Sequence, residues 1–580
     1  MTREPAELRR RILEVVSQNG GHLASSLGAV EIACALAEVF DPEVDRVVWD
    51  VGHQAYAWKI LTGRDDRFET LRKLDGISGF PNPQESAADA AVAGHAGVAF
   101  SVAEGLAAAR DKRGTKEHVV AVVGDGAMAN GVSFEALNNC AAATEKVIVI
   151  LNDNEMSISR PIGSFARLLG RLITGVHYNR VKQAAERAGH ALKLTFLRGI
   201  YHSVERRVKS LFLGNAFFEQ FGLRYIGPVD GHDVAALKAA FTVAKEDKRS
   251  VLVHVVTRKG HGYAPAEKDP THWHGVGPFK VHDCDRVKTA ADAAKAPMTW
   301  SHLFGETLCA AARKDTRIVA LTAAMKDGTG LTSFAAEFPQ RFFDVGIAEE
   351  HMVAFAAGLA AGGMRPVVAV YSTFLQRAID QVMHDVCIAN LPVIFCVDRA
   401  GVVGADGMTH QGIYDVAMLR CLPNLTICQA SSAADFRALF AEALLRKGPT
   451  VIRYPRGPIN EETVEFVKPG KARATIWVTG DWLHKAQEVA ARVGGVDVEV
   501  ARYLKPVDAA LLAHEREEGQ RIISLENASV AGGLGEAIAA DLKFGWPDEF
   551  IPHGTPSELE KRYHLDVDSL VELVKKEVEA

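Results

Sequence analysis

The chain has 580 residues, room for three or four domains with substantial cores. Hydrophobic residues make up 48% and charged residues 24%, an ordinary globular balance, and the formal net charge is −6 with both signs interspersed. This excludes a basic nucleic-acid face, and no apolar stretch suits a bilayer: the best, Phe355 to Phe374, carries Arg365 and several glycines. The start, Met1-Thr2-Arg3-Glu4-Pro5, lacks the apolar core of a secretory signal. Eight cysteines are scattered singly with no Cys-x-x-Cys pair, so reduced, mostly buried thiols and a cytoplasmic location are expected.

Three regions separate along the chain: residues 1–296, 297–469 and 470–580. In the first, Val119–Val123 and Lys146–Leu151 read as strands, with a helix over Ser133–Ala143 and Ser133 as its N-cap. The Arg-, Leu- and Gly-rich stretch Ile162–Asn215 reads as an excursion or lid, and Lys288–Lys295 as a linker. In the second region the strands are Arg317–Leu321, Phe343–Ile347, Pro366–Val370 and Pro392–Val397, with a helix from Met352 to Gly362. The polar segment Pro458–Lys471 leads to the third, with strands Thr475–Val478, Val496–Ala501 and Arg521–Leu525. Continuous Val/Ile runs alternating with helices predict an α/β protein, each domain a mainly parallel sheet covered on both faces. Ligands of such sheets bind beyond the carboxyl ends of the strands.

The polar motifs fall at those ends. Gly124-Asp125-Gly126 follows one β-branched run and Asn152-Asp153-Asn154 ends the next. A carboxylate and an amide oxygen at neighbouring strand ends suit Mg²⁺, which takes its other oxygens from water and from phosphates. The flanking glycines admit a diphosphate. This spacing matches the motif by which thiamine-diphosphate enzymes hold their cofactor. In Phe343-Asp344-Val345-Gly346-Ile347-Ala348-Glu349, a strand delivers Glu349 to a helix start among apolar neighbours. Desolvation there would raise its pKa and keep it protonated, as an acid facing the cofactor's aminopyrimidine must be. Phe374, after another strand, offers a stacking face. Arg399 and Arg456 at strand ends suit a phosphate dianion. His22, His53 and His95 each sit in a glycine-rich turn, a pattern fitting a polar pocket that moves protons. No His-x-x-x-His spacing supports a zinc site or a metallohydrolase.

Longer strings resemble one family. They include Trp49-Asp50-Val51-Gly52-His53-Gln54-Ala55-Tyr56, Ile226 through Asp233, Tyr371 through Arg377, Asp398 through Gly412 and Phe550-Ile551-Pro552-His553-Gly554. The chain is similar nearly end to end to the 1-deoxy-D-xylulose-5-phosphate synthases. The resemblance implies three domains: a diphosphate- and Mg²⁺-binding domain over 1–296, an aminopyrimidine-binding domain over 297–469 and a transketolase-like C-terminal domain over 470–580. It implies a homodimer that condenses pyruvate with D-glyceraldehyde 3-phosphate, with loss of CO₂, serving isoprenoid and thiamine biosynthesis. Carried over by position, Asp125, Asn154 and the Met156 backbone oxygen would hold Mg²⁺. His53, Gly94, His95, Ala96, Gly126, Ala127, Asn154 and Tyr263 would line thiamine diphosphate, with Glu349 and Phe374 on its aminopyrimidine. Tyr371, Arg399 and Arg456 would hold the acceptor, and His22, His53, His274, Asp406 and His410 would surround the reacting carbons.

The chain departs from the family pattern in three places. Ala96-Gly97-Val98 stands where Ser-Ser-Thr is usual, Glu349-Glu350-His351 in place of Glu-Gln-His, and Tyr56-Ala57-Trp58-Lys59 in place of Tyr-Pro-His-Lys. The extra Glu350 is expected to raise the Glu349 pKa further if the two lie close. The alternatives are a transketolase-type carboligase with a ketose donor, and a silent cofactor-binding paralogue.

Overall fold

The computed structural model describes residues 3–154, 164–165, 167–170, 215–281, 297–460 and 466–579. Met156, the linker Lys288–Lys295 and most of Ile162–Asn215 lie outside the described residues. The chain divides into two compact units, Met1–Leu71 with Gly76–Arg286, and Arg72–Asp75 with Val287–Ala580.

Unit 1 is built on β1 (Arg46–Trp49), β2 (Val119–Gly124), β3 (Ile148–Asp153), β4 (Arg224–Asp230) and β5 (Val251–Val256), in the order β1-β2-β3-β5-β4. All pairs are parallel. Every side chain of Val119–Val123 is buried, because both faces of the sheet are covered. On one face Ile148, Ile150, Val251 and Val253 join the core that also holds Leu8, Ile12, Val30 and Leu237. On the other, Val149, Leu151 and Leu252 join Phe100, Ala103, Leu137 and Cys140. The helix expected from Ser133 starts earlier, at Gly131, and its N-cap is Asn130 rather than Ser133. The Asn130 side chain accepts from the Val132 amide at 3.0 Å. Ser133 is instead buried inside the first turn, where its hydroxyl donates to Ala127 O (2.9 Å) and Gly97 O (3.1 Å).

Unit 2 holds two sheets. The larger comprises β6 (Ile318–Thr322), β7 (Phe342–Asp344), β8 (Arg365–Tyr371), β9 (Ile394–Asp398), β10 (Thr426–Gln429) and β11 (Thr450–Arg453). The smaller comprises β12 (Ala474–Val478), β13 (Val496–Val500), β15 (Arg521–Ser529) and β16 (Leu542–Trp546), in the order β13-β12-β15-β16. The short β14 (Tyr503–Lys505) comes from the third sequence region but joins the larger sheet, ordered β14-β10-β11-β9-β8-β6-β7, as its one antiparallel member among the described strands. β7 stops at Asp344, short of the expected Ile347. The Asp344 carboxylate accepts from the Ala324 and Gly346 amides (2.9 and 3.1 Å), and Gly346 turns the chain at φ +75°. The helix then begins at Glu349, three residues before the expected Met352.

A buried polar network joins the two sheets of unit 2. Arg453, with no exposed surface, makes a two-pronged pair with Asp415 (3.0 and 3.1 Å) and donates to Gln429 and to Asn527 O. Asn527 in turn donates to Asp481 at 2.9 Å and accepts from the Trp546 indole at 2.9 Å. Removing one partner of such a pair strands a desolvated charge. Arg453→Met is therefore expected to lower unfolding free energy by about 3–5 kcal/mol, measured by urea denaturation. Pairing it with Asp415→Leu should cost less than the single change; a larger loss in the double variant would contradict this account.

Candidate active site

In unit 1 the site is assembled from strand ends. Asp50, just past β1, is fully buried and accepts from Gly97 N (2.8 Å) and Ala99 N (2.9 Å). It thereby pins the turn Gly94-His95-Ala96-Gly97 beside the sheet. Gly97 has φ +85°, and a Cβ there would lie 2.5 Å from the Asn130 side chain. Val51 follows at φ +58°, a strained conformation for a β-branched residue, and the chain turns there toward His53. The rings of His22, His53 and His274 form a triangle with centroid separations of 5.9, 5.6 and 5.2 Å. Phe80 packs on His22 at 5.4 Å. Tyr263 meets Trp273 edge-on at 5.4 Å.

Asp125 directly follows β2 and opens the helical turn Asp125–Met128, which carries Gly126 and Ala127. Gly124 pairs in register with Asn152, so Asp125 and Asn154 follow neighbouring strand ends. Asp125 is 6% exposed, and its Oδ2 has no hydrogen-bond partner among the described residues. Burial raises its pKa and nearby Asp153 adds to the rise, while Lys259 opposes it. A Cβ on Gly124 would meet nothing within 4 Å, so the space beside the strand end is open. Gly124 itself has φ −74°, and its glycine serves access rather than backbone shape. A buried carboxylate oxygen awaiting a partner, beside a second carboxylate and an amide, is chemistry suited to a hard divalent cation.

In unit 2, Glu349 is the first residue of the helix Glu349–Ala361 and is 2% exposed. Burial pushes its carboxyl up to about 7; Arg377, 3.6 Å away, works against that, and Glu350 adds to it. Tyr371 closes β8 and stacks on Phe374 (5.8 Å). Phe374 meets His410 edge-on at 5.7 Å. Arg399 follows β9 at φ +59° and lies 3.7 Å over the Tyr371 ring. Gly328 makes room for this stack, since a Cβ there would strike the Tyr371 hydroxyl. Asp406 pairs with Arg72 at 2.8 Å and with Arg456 at 3.6 Å. Burial holds the His410 imidazole below its ordinary value, so it stays neutral near physiological pH.

Sequence reasoning missed Arg72, Lys259 and Arg377. Lys259 was within reach of the strand-end rule, since it follows β5, and burial lowers its pKa while Asp125 opposes the fall. Arg72 carries no local signal. One further cluster, Glu31, His232 and His261, has ligand atoms within 4.8 Å of one another. It is already internally bonded: Glu31 accepts from Arg9 (2.6 Å) and His232 Nδ1 (3.2 Å), and His232 Nε2 accepts from the Arg258 amide (2.8 Å). No helix among the described residues is long and apolar enough to cross a membrane. The described cysteines are free thiols, all buried except Cys421.

Comparison with known proteins gives a consistent result. A family model described as 1-deoxy-D-xylulose-5-phosphate synthase matches residues 1–257, and one described as the transketolase pyrimidine binding domain matches residues 296–461. The 1-deoxy-D-xylulose-5-phosphate synthase 1 of Geobacter metallireducens is 44% identical, over 98% of this chain and 95% of that one. The synthase of Natranaerobius thermophilus is 44% identical, over 97% and 93%. The chain belongs to the 1-deoxy-D-xylulose-5-phosphate synthase family. Among solved structures, a transketolase from Leishmania mexicana is 19% identical with a TM-score of 0.45, covering 100% of this chain and 98% of that one.

For this family member, the buried acid makes a direct prediction. The folded-state pKa of Glu349, about 7, lies above its ordinary 4.5. The unfolded chain therefore releases this proton first as pH rises, and Glu349 destabilises the fold increasingly between about pH 4.5 and 7. The full penalty, present above that window, is on the order of a few kcal/mol. Cofactor-free Glu349→Gln should lose less stability than wild type between pH 5 and 8 in urea titrations; equal losses would refute the buried-acid account.

Proposed function

We propose that this chain joins pyruvate to D-glyceraldehyde 3-phosphate, with loss of CO₂, to form 1-deoxy-D-xylulose 5-phosphate, the first step of the non-mevalonate route to isoprenoids. The observation that carries the reading is Glu349: a desolvated acid at a helix start, 3.6 Å from Arg377, in a chain of this family. Family membership supports thiamine diphosphate as the cofactor. When bound, it supplies a carbon nucleophile able to take up pyruvate and to accommodate the electrons left as CO₂ departs.

The chain's own residues do the rest. Asp125, Asn154 and the Met156 backbone oxygen would hold Mg²⁺, with the Asp125 carboxylate ionised most readily against a dication. Gly94, His95, Ala96, Gly126, Ala127 and Tyr263 would line the cofactor, and Lys259 adds positive charge for its diphosphate. Glu349 keeps a proton to donate to the aminopyrimidine ring, and Phe374 offers that ring its face. Arg399 and Arg456 bind the acceptor's phosphate, with Tyr371 beneath Arg399. Asp406 orients Arg456 and Arg72 through its two oxygens. His22, His53, His274 and His410 give or take the proton at the acceptor's carbonyl oxygen. The same reading assigns 1–296 to the diphosphate and metal, 297–469 to the aminopyrimidine and 470–580 to the C-terminal domain. It takes the enzyme to be a homodimer.

NMR of the protein with Mg²⁺, thiamine diphosphate and labelled pyruvate tests the reaction. Deoxyxylulose phosphate and CO₂, both dependent on D-glyceraldehyde 3-phosphate, are expected. Absence of pyruvate consumption in cofactor-loaded protein would favour a ketose donor or a silent paralogue. Glu349→Ala should lose at least about 100-fold in kcat while retaining thiamine diphosphate; a near-normal rate sinks the role of the acid. Arg399→Ala should raise KM for the phosphorylated aldehyde by roughly 10–100-fold, the scale of one lost charged hydrogen bond, and leave KM for pyruvate near its original value. Equal effects on both substrates would contradict the assignment.

A further inference from the structure

Behind Asn154, the end of β3 is held from both faces of the sheet. On one face the Asn152 side chain accepts from Thr257 Oγ1 (2.6 Å) and donates to Gln54 Oε1 (2.8 Å). On the opposite face, Asp153 Oδ2 meets His254 Nε2 at 3.0 Å, and His254 Nδ1 meets the Tyr225 hydroxyl at 2.7 Å. His254 has no exposed surface, and Asp153 and Tyr225 are also buried. The neighbours on this second face are apolar: Val149, Leu151 and Leu252. A three-member polar chain in such a place is costly unless every member is matched.

The pairing fixes the proton positions. A carboxylate only accepts, so the His254 proton lies on Nε2, and Nδ1 accepts from the Tyr225 hydroxyl. Burial and the nearby Asp153 hold the phenol well above its ordinary pKa, which keeps it a donor. The imidazole is thus locked in one tautomer and one orientation, with its N–H aimed at Asp153. Asp153 is the residue immediately before Asn154, and its backbone oxygen is also held, by the Thr257 amide at 2.9 Å.

The geometry points to Tyr225, His254 and Asp153 as a positioning relay that presets the Asn154 end of the metal site before Mg²⁺ and the diphosphate arrive. This rests on the assignment of Asp125 and Asn154 as metal ligands. Residues that orient ligands from behind typically change metal affinity by about 10–100-fold when altered. The relay lies under the sheet rather than in the reaction space, so its effect belongs in metal binding and not in the chemical step.

Two substitutions at one position separate this role from packing. The carboxamide of His254→Gln reaches about where Nε2 stands and keeps a donor for Asp153. That of His254→Asn reaches only the Nδ1 position and removes it. The readout is Mn²⁺ binding by electron paramagnetic resonance with saturating thiamine diphosphate, alongside thermal melting without ligands. Wild type and Asp125→Asn are run together: tight binding in the first and its loss in the second establish the metal site. With that established, His254→Asn should weaken Mn²⁺ by about 10–100-fold, His254→Gln should stay within about threefold of wild type, and kcat at saturating metal should be retained in both. Wild-type Mn²⁺ affinity in His254→Asn would overturn the relay. Equal weakening in both variants, accompanied by equal losses in melting temperature, would overturn it too, in favour of packing. If Asp125→Asn binds Mn²⁺ as wild type does, the ligand assignment falls and takes the relay with it.

Discussion

A carboxylate buried where a strand stops or a helix begins loses most of its hydration, and the fold must supply something in return. That constraint organises both units. Asp50 and Asp344 are compensated by backbone amides and so shape turns. Asp415 is compensated by Arg453 and joins two sheets. Asp125 and Glu349 are compensated only in part, with an oxygen each lacking a hydrogen bond among the described residues. The first group have their polar demand met within the fold and the second keep an oxygen open, and the difference lies in what surrounds them rather than in residue type.

Several central strands were legible because they are buried on both faces and read as unbroken apolar runs, Val119–Val123 and Ile394–Val397 among them. β4, at a sheet edge and mixed in burial, has no such run and was not anticipated. Neither was the three-residue β14, too short for any periodicity. Asp125 could be found because it directly follows a strand, and Glu349 because a short apolar turn after a strand delivers it to a helix start. Arg72 could not: it meets Asp406 from a point more than three hundred residues earlier in the chain, and charge alone does not announce a partner. The cap at Asn130 was misread because Ser133, an equally good capping type, sits three residues on and spends its hydroxyl on Gly97 and Ala127 instead.

The departure at Ala96-Gly97-Val98 also acquires a local reason. Any side chain at Gly97 would run into Asn130, the very residue that caps the next helix. The turn and the cap are therefore fitted to each other, with Ser133 bonded to the carbonyl of that glycine. A hydroxyl residue at 97 would require Asn130 to move, so the two positions are coupled in this chain.

The placement of β14 has a consequence for how the chain can be divided. By sequence it belongs to the third region, yet it pairs with β10 through Ile427 and Cys428. A protein cut near residue 469 would leave β10 with an unpaired row of amides and carbonyls, an apolar edge open to a second molecule. The C-terminal segment is in this sense an edge guard for the sheet that carries Glu349, Tyr371 and Arg399. Insolubility of the shorter piece would follow from an exposed strand, with no defect needed in the residues that remain.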